Sequence, residues 1–332
     1  MHGITLVTGS AGHLGEALVG TLRAAGRDVR GVDLLASPTT DVVGSIADPA
    51  IVERCMDGVR DVVHAATLHK PHVATHSRQA FVDVNVTGTL QLLEAAVRAR
   101  VRSFLFTSTT SVFGDALVPP AGAPAAWITE DVVPVAKNIY GVTKLAAEEL
   151  CALAHRNQGL ACLVLRTSRF FLDPDDDPVA RAAYSDANLK TSEFLHRRVD
   201  LEDVVDAHRC ALERAPSLGF RRYLVTATTP FGRGDLAELR RDAASALTRR
   251  VPGWQAIYDR LGWRMLPSID RVYDNARARD ELGWRPRHDF ASVVARLAAG
   301  ENDFRSALAR AVGSKGYHRP ATASRETHTA AP

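Results

Sequence analysis

Tyr140 and Lys144 lie four residues apart in "NIYGVTKLAAEEL", a spacing that puts both on one face at the start of a helix. A phenol ionises near pH 10, so a tyrosine that takes a proton at neutral pH needs its anion stabilised, and an ammonium one turn away does this. Upstream, "FTSTTSVFG" places five hydroxyl residues in a row, Thr107, Ser108, Thr109, Thr110 and Ser111, at the end of an apolar run. Such a row is either a turn or a place where an O–H donor meets a reacting oxygen. Near the start, "VTGSAGHLGEALVGTL" sets Gly9, Ala11, Gly12, His13, Leu14 and Gly15 between an apolar run and a helical pattern. Backbone N–H groups and a helix N-terminus at such a turn attract a pyrophosphate.

Eighteen residues beyond Gly15 a second apolar run ends in Asp33, a carboxylate suited to the diol of an adenosine ribose. Leu34 and Leu35 follow, with no arginine placed to neutralise a 2′-phosphate, so the expected cofactor is NAD and not NADP. Ser45 and Ile46, in "GSIADP", are expected to border the adenine, one with a hydroxyl and one with an apolar face.

The elements that must position these residues alternate through the first two hundred positions. "GITLVTG", "DVRGVD", "DVVHAA", "SFLFTS" and "ACLVLR" read as strands; Glu16 to Ala25, Pro49 to Met56, Gln79 to Arg98 and Tyr140 to Arg156 read as helices. The predicted fold is α/β, a Rossmann-type doubly wound parallel sheet with a smaller discontinuous C-terminal substrate lobe. A late strand, "RRYLVTATT", is expected to return to the sheet. This gives a nucleotide domain over 1–167 plus about 199–229, a lobe over about 168–198 plus 230–310, and a disordered tail over 313–332.

Composition narrows the class. A chain of 332 residues with 46% hydrophobic and 24% charged positions buries an ordinary soluble core. Net charge is only +3 and the basic residues are interleaved with acidic ones, so no nucleic-acid partner is expected. The four cysteines show no CxxC spacing, which argues against a disulfide framework or a zinc site and fits a reducing cytoplasm. No apolar run is long enough for a signal peptide or a membrane span, and a soluble cytoplasmic protein is expected. His69, His72 and His76 crowd one short stretch, but Pro71 is expected to break any helix that would aim them together. No metal is expected; the three are better placed to flank a substrate.

Over about residues 4 to 300 the chain resembles the extended short-chain dehydrogenase/reductases, in particular the NAD-dependent epimerase/dehydratase group. The resemblance rests on "TGSAGHLG", "HAA" at 64 to 66, "VNVTGTLQLLEAA" around Asn85, "TSTTSVFG", "YGVTK", "RVDLEDVVDAH" and "NARARDELGWRP". It implies that Thr109 donates to the substrate oxygen, that Tyr140 exchanges the proton and that Lys144 also holds the nicotinamide ribose. By the same likeness Ala65, Ala66, Thr67, Thr107 and Asn85 stand beside the cofactor, and Phe113 replaces a usual tyrosine, with a consequence expected in substrate contact.

Dehydratases that this chain resembles carry Asp and Glu after the catalytic hydroxyl, because eliminating water needs an acid and a base; here Thr110 and Ser111 stand there, which disfavours dehydration. Thr109, Thr110, Arg169, Asn188 and Arg197 are the candidate substrate contacts. Arg169 suggests a carboxylate or phosphate on the substrate, with a salt bridge to "DPDDDP" as the alternative; Arg197 and Arg198 are equally readable as a solvated pair. About thirty residues separate "ACLVLR" from "RVDLEDVV", fewer than nucleotide-sugar relatives use. The expected activity is epimerisation or oxidation of a sugar or nucleotide-sugar alcohol through a ketone. The alternatives are a simple dehydrogenase of a smaller, anionic sugar or polyol, and a non-catalytic NAD-binding regulator. A homodimer through the helices Gln79 to Arg98 and Tyr140 to Arg156 is implied by the resemblance.

Overall fold

Seven parallel strands form the central sheet in the order β3-β2-β1-β4-β5-β7-β8 of a computed structural model, which describes residues 3–175 and 177–316. The strands are β1 (Ile4–Thr8), β2 (Val29–Asp33), β3 (Val42–Val43), β4 (Val59–His64), β5 (Ser103–Thr109), β7 (Cys162–Thr167) and β8 (Phe220–Val225), while β6 (Ala126–Ile128) pairs with β9 (Arg271–Tyr273) in a separate two-stranded sheet. Every residue of β5 and β7 is buried, as apolar runs covered by helices on both faces should be. The direction of the order reverses between β1 and β4, and a crevice opens at the carboxyl ends of the strands there.

The two faces are covered by different helices. One core joins α1 (His13–Ala24) and the later helix α8 (Leu201–Leu218) through Leu18, Leu22, Val204 and Leu212; the other joins α2 (Pro49–Met56) with the helices over Arg78–Arg98 and Ile139–Gln158 through Val52, Leu92, Leu93, Ala147 and Cys151. Helix α2 starts where Asp48 accepts a hydrogen bond from the Ala50 amide and Pro49 takes the first position, which fits a residue without an N–H. The helix expected over Gln79–Arg98 is not uniform: α3 (Arg78–Phe81) passes through a π-helical turn, Val82–Thr87, into α4 (Gly88–Arg98). That turn carries Asn85 inward.

A third core, with Leu239, Leu247, Trp254, Tyr258, Phe290 and Val293, holds most of the later residues together. Two stretches assigned above to the smaller lobe lie elsewhere: Ala278, Leu282 and Trp284, and also Ala309 of the helix Ala307–Val312, pack into the core between α1, α8 and the sheet. Trp284 is fully buried and donates from its indole N–H to the Asp203 carbonyl at 3.0 Å. The expected disorder from 313 is corrected for 313–316, which are folded against α1; positions 317–332 lie outside the described residues. No helix among the described residues is long and apolar enough to cross a membrane, and all four cysteines are unpaired.

Candidate active site

A cavity of about 750 Å³ runs along the carboxyl ends of the strands, from the glycine turn after β1 to the hydroxyl row after β5. Its volume suits a cofactor with a substrate beside it. At the first end Gly9, Gly12, His13, Leu14, Gly15, Asp33, Ser45, Ile46, Ala65, Ala66 and Thr67 all line it. A Cβ on Gly15 would stand 1.9 Å from the Gly9 carbonyl oxygen, so only glycine lets α1 start this close to the turn. The Asp33 carboxylate lines the cavity and accepts from the amides of Ala11 and Leu35, both at 3.0 Å, one on each oxygen, which leaves each oxygen capacity for a further bond. Ala11 itself does not line the cavity; its amide orients Asp33. Thr8 joins the ends of β1 and β4, accepting from the Ala66 amide at 3.1 Å and bonded to His64 Nδ1 at 2.7 Å. These donors, the bare backbone and the carboxylate fit a dinucleotide.

At the second end Thr107, Ser108, Thr109, Thr110, Ser111 and Tyr140 line the cavity. Asn138 caps the helix α5 (Ile139–Gln158), accepting from the Gly141 amide at 3.0 Å. A Cβ on Gly141 would come within 2.9 Å of the Ser111 carbonyl oxygen, so the glycine after Tyr140 lets α5 press against the end of β5. The Tyr140 phenol stands beside Thr109, whose Oγ1 accepts from the Ser111 amide at 3.1 Å. Lys144 is buried behind this pair, where its Nζ donates to the Thr107 carbonyl at 2.7 Å and lies 3.9 Å from the centre of the Phe106 ring.

The charge states differ from expectation. Burial pushes the Tyr140 phenol up to about 12, opposed by the Thr109 hydroxyl, and brings the Lys144 ammonium down to about 7, with the Glu148 carboxylate acting in the opposite direction. In the protein alone desolvation therefore sets both charge states, and it is Thr109 that draws the phenol downward. Burial, helped by Lys144, also holds His64 well below its ordinary value, so that this histidine is a neutral link between β1 and α4, its Nε2 2.9 Å from the Thr89 hydroxyl.

The remaining hydroxyls serve the frame. Ser108 donates to buried Glu148 at 2.6 Å, and Glu148 receives the Arg166 guanidinium at 2.7 Å; Thr107 Oγ1 meets His208 Nε2 at 2.9 Å. Asn85 also stands back from the cavity, with every polar atom engaged: Oδ1 accepts from the Leu68 amide and the Thr67 hydroxyl, and Nδ2 donates to the Leu68 carbonyl and to Thr143. It ties the stretch after β4 to α5. Phe113 is buried away from the cavity under the Arg166 guanidinium, so its missing hydroxyl does not bear on substrate contact as expected.

Of the proposed substrate contacts, Thr109, Thr110, Arg169 and Arg197 reach the cavity and Asn188 does not. Asn188 is buried on α7 (Asp186–Glu193, after α6, Pro178–Ala183), where it clasps the Arg264 backbone, donating to its carbonyl at 2.9 Å and accepting from its amide at 3.1 Å. Arg169 pairs with Asp175 of the "DPDDDP" segment and with Glu193 at 3.3 Å; Arg197 reaches Glu193 at 2.7 Å and Asp175 at 3.4 Å. Arg198 is not solvated but buried, also on Glu193 at 2.7 Å. The three histidines converge after all. Pro71 opens the short 3-10 turn Lys70–Ala74, where it is tolerated, and the rings of His69 and His72 lie 4.4 Å apart, those of His72 and His76 5.0 Å. His69 stacks on Phe171 at 5.2 Å, and all three histidines line the cavity. Elsewhere Asp200, Glu202 and His288 lie close enough to hold a cation, yet their atoms are engaged by Ser306, Arg287 and one another.

Arg271 and Tyr273 of β9 also line the cavity. Sequence reasoning passed over both, and no local pattern marks them.

A parallel doubly wound sheet, a glycine turn with its acidic partner, and a Tyr and Lys pair beside a strand-end hydroxyl define an NAD-binding dehydrogenase-type enzyme. The NAD dependent epimerase/dehydratase family model matches residues 5–225, and the chain belongs to that family; its cofactor is NAD. It is 30% identical to a dTDP-glucose 4,6-dehydratase of Streptomyces antibioticus over 91% of this chain and 93% of that one. It is 27% identical to a UDP-glucose 4-epimerase of Lactobacillus helveticus, over 86% and 92%. A short-chain dehydrogenase/reductase superfamily protein from Agrobacterium tumefaciens, solved with bound NAD, superposes with a TM-score of 0.65 at 24% identity, covering 89% of this chain and 96% of that one.

Proposed function

We propose that the chain oxidises a secondary alcohol of a sugar or nucleotide sugar and returns hydride to the opposite face of the resulting ketone, as an epimerase. The observation that carries this reading is the Tyr140 phenol beside Thr109 in the cavity wall, with Lys144 buried behind them. Thr109 holds the substrate oxygen by its hydroxyl, and Tyr140 takes the alcohol proton and later gives it back. Bound NAD supplies the hydride acceptor. Asp33 holds the adenosine ribose, and the turn from Gly9 to Gly15 presents its amides to the pyrophosphate. Lys144 in its protonated form supplies the positive charge that a phenolate needs.

Dehydration is disfavoured by the wall itself. Asp33 and Asp173 are the carboxylates among its described residues, and neither stands in the hydroxyl row beside Thr109. Retention of the cofactor is supported by the end of the described chain: Lys315 donates its amide to His13 Nε2 at 3.1 Å and pairs with Glu16, while Ser314 and Gly316 bond Asp173. This segment lies over the start of α1, where the pyrophosphate belongs. NAD that survives purification, with isomer exchange and no net NADH, is the expected result; stoichiometric NADH release would refute epimerisation.

One observation favours a second reading, a simple dehydrogenase of a smaller sugar or polyol: among the described residues of 168–200 the helices are the short α6 and α7, and Asn188 is turned away from the cavity. A non-catalytic NAD-binding regulator is disfavoured by the intact Tyr140 and Lys144 pair. Exposed Leu90 on α4 and exposed Val142 and Leu153 on α5 support a homodimer through these helices, which light scattering tests.

A further inference from the structure

Arg271 is the arginine in the cavity wall whose charge the protein leaves unanswered. The guanidinium groups of Arg169 and Arg197 also reach the cavity, but each is held by Asp175 and Glu193. The Arg271 side chain has no hydrogen bond and no ion pair among the described residues, and its Nε is buried without a partner. A guanidinium carries five donors, and withholding water from part of it without an acceptor is costly. Its backbone is not free to move away: Arg271 begins β9 opposite Ala126, and Tyr273, two residues on, lines the cavity from the same face of the strand.

Its neighbour His196 does not supply the missing charge. The fields of Arg271 and Arg197 both act on His196, and together with burial they keep it neutral; its Nδ1 is likewise buried without a partner. No carboxylate among the described residues pairs with Arg271: of the two in the wall, Asp33 belongs to the nucleotide end, and Asp173 bonds Ser314 and Gly316 through one oxygen and faces His13 Nε2 at 3.5 Å with the other. The wall of the cavity that Thr109 and Tyr140 also line thus presents a donor fork with a positive charge that no carboxylate pairs with.

We propose that Arg271 is a substrate-binding residue that takes an anionic oxygen group, carboxylate or phosphate, carried by the substrate. The inference rests on the alcohol-oxidising reading above and adds the charge of the substrate to it. A planar fork favours two parallel N–H···O bonds, a geometry that lysine does not reproduce.

The test is calorimetric binding to the NAD-loaded full chain with four probes: glucose, glucuronate, glucose 1-phosphate and UDP-glucose. Wild type is expected to bind at least one anionic probe ten- to a hundredfold more tightly than glucose. Glucuronate as the tightest identifies a carboxylate, glucose 1-phosphate a terminal phosphate and UDP-glucose a diphosphate. Arg271→Gln is expected to bring that probe to the affinity of glucose, and Arg271→Lys to restore part of the difference. Because Arg271 holds no ion pair, the melting temperature of R271Q should match wild type, which separates lost binding from lost fold. The proposal is overturned if no anionic probe binds wild type more tightly than glucose, or if R271Q keeps the preference. A Tyr140→Phe enzyme that turns over a proven substrate normally would instead overturn the catalytic reading, whatever Arg271 binds.

Discussion

Replacing Lys144 by methionine should stabilise the fold at acid pH while it destroys turnover. Lys144 is fully buried, and burial lowers its ammonium from 10.5 to about 7. A drop of that size means that carrying the charge inside the fold costs about 4 to 5 kcal/mol relative to the unfolded chain, since each pH unit is worth about 1.4 kcal/mol. Methionine forgoes this cost but loses the hydrogen bond to the Thr107 carbonyl and the contact with the Phe106 ring, together about 2 kcal/mol. The net gain is about 2 to 3 kcal/mol. With an unfolding entropy of about 2.1 cal/mol/K per residue, or about 0.7 kcal/mol/K for this chain, melting should rise by about 3 to 4 °C.

The sign with pH follows from where the proton sits. Below about pH 7 the lysine is charged in both folded and unfolded chains, so the full cost is present; between about 7 and 10.5 only the unfolded chain still binds the proton, and the cost fades. The advantage of Lys144→Met should therefore be largest near pH 6, be gone near about pH 9, and give way above that to a variant less stable than wild type, by the interactions methionine lacks. Thermal melts of the two proteins across this range, beside an assay of turnover, measure both halves. A variant less stable than wild type at pH 6, or a difference that does not change with pH, would refute the reasoning.

Tyr140→Phe should lower turnover by about 10²- to 10⁴-fold with NAD content unchanged, read by activity and by absorbance of the released cofactor. Glu148→Ala leaves the buried Arg166 guanidinium without its carboxylate and should cost about 3 to 5 kcal/mol, measured by urea unfolding. Gly15→Ala drives a methyl into the Gly9 carbonyl; the purified variant should carry no NAD, by the same absorbance measurement.

Much of the site was legible because its chemistry is local. The glycine turn, Asp33 at the end of β2 and the four-residue spacing of Tyr140 and Lys144 each depend on one strand end or one helical turn. The start of α2 was readable from Asp48 and Pro49 for the same reason. The π-helical turn at Val82–Thr87 was not, since one inserted residue hardly alters the apolar period, although it is what turns Asn85 inward. Asn188 was misplaced because its partner, the Arg264 backbone, is distant in sequence. The histidine loop was misread because Pro71 was weighed as a helix breaker, whereas at the start of a 3-10 turn it has no hydrogen bond to break.

By itself the sequence determined the class of fold and the cofactor, and it set Tyr140 and Lys144 on one face of a helix, because periodicity, turn chemistry and helical spacing act over a few residues. The tertiary structure alone decided which charges are answered. A guanidinium sits at the end of a long side chain, and whether it meets a carboxylate depends on elements brought together from far apart. Thus Arg169 and Arg197 are held by Asp175 and Glu193, and Arg271, one arginine among many in the sequence, faces the cavity unpaired. The same holds for Lys144, whose charge is set by the depth at which α5 lies against β5 and not by its place in a motif.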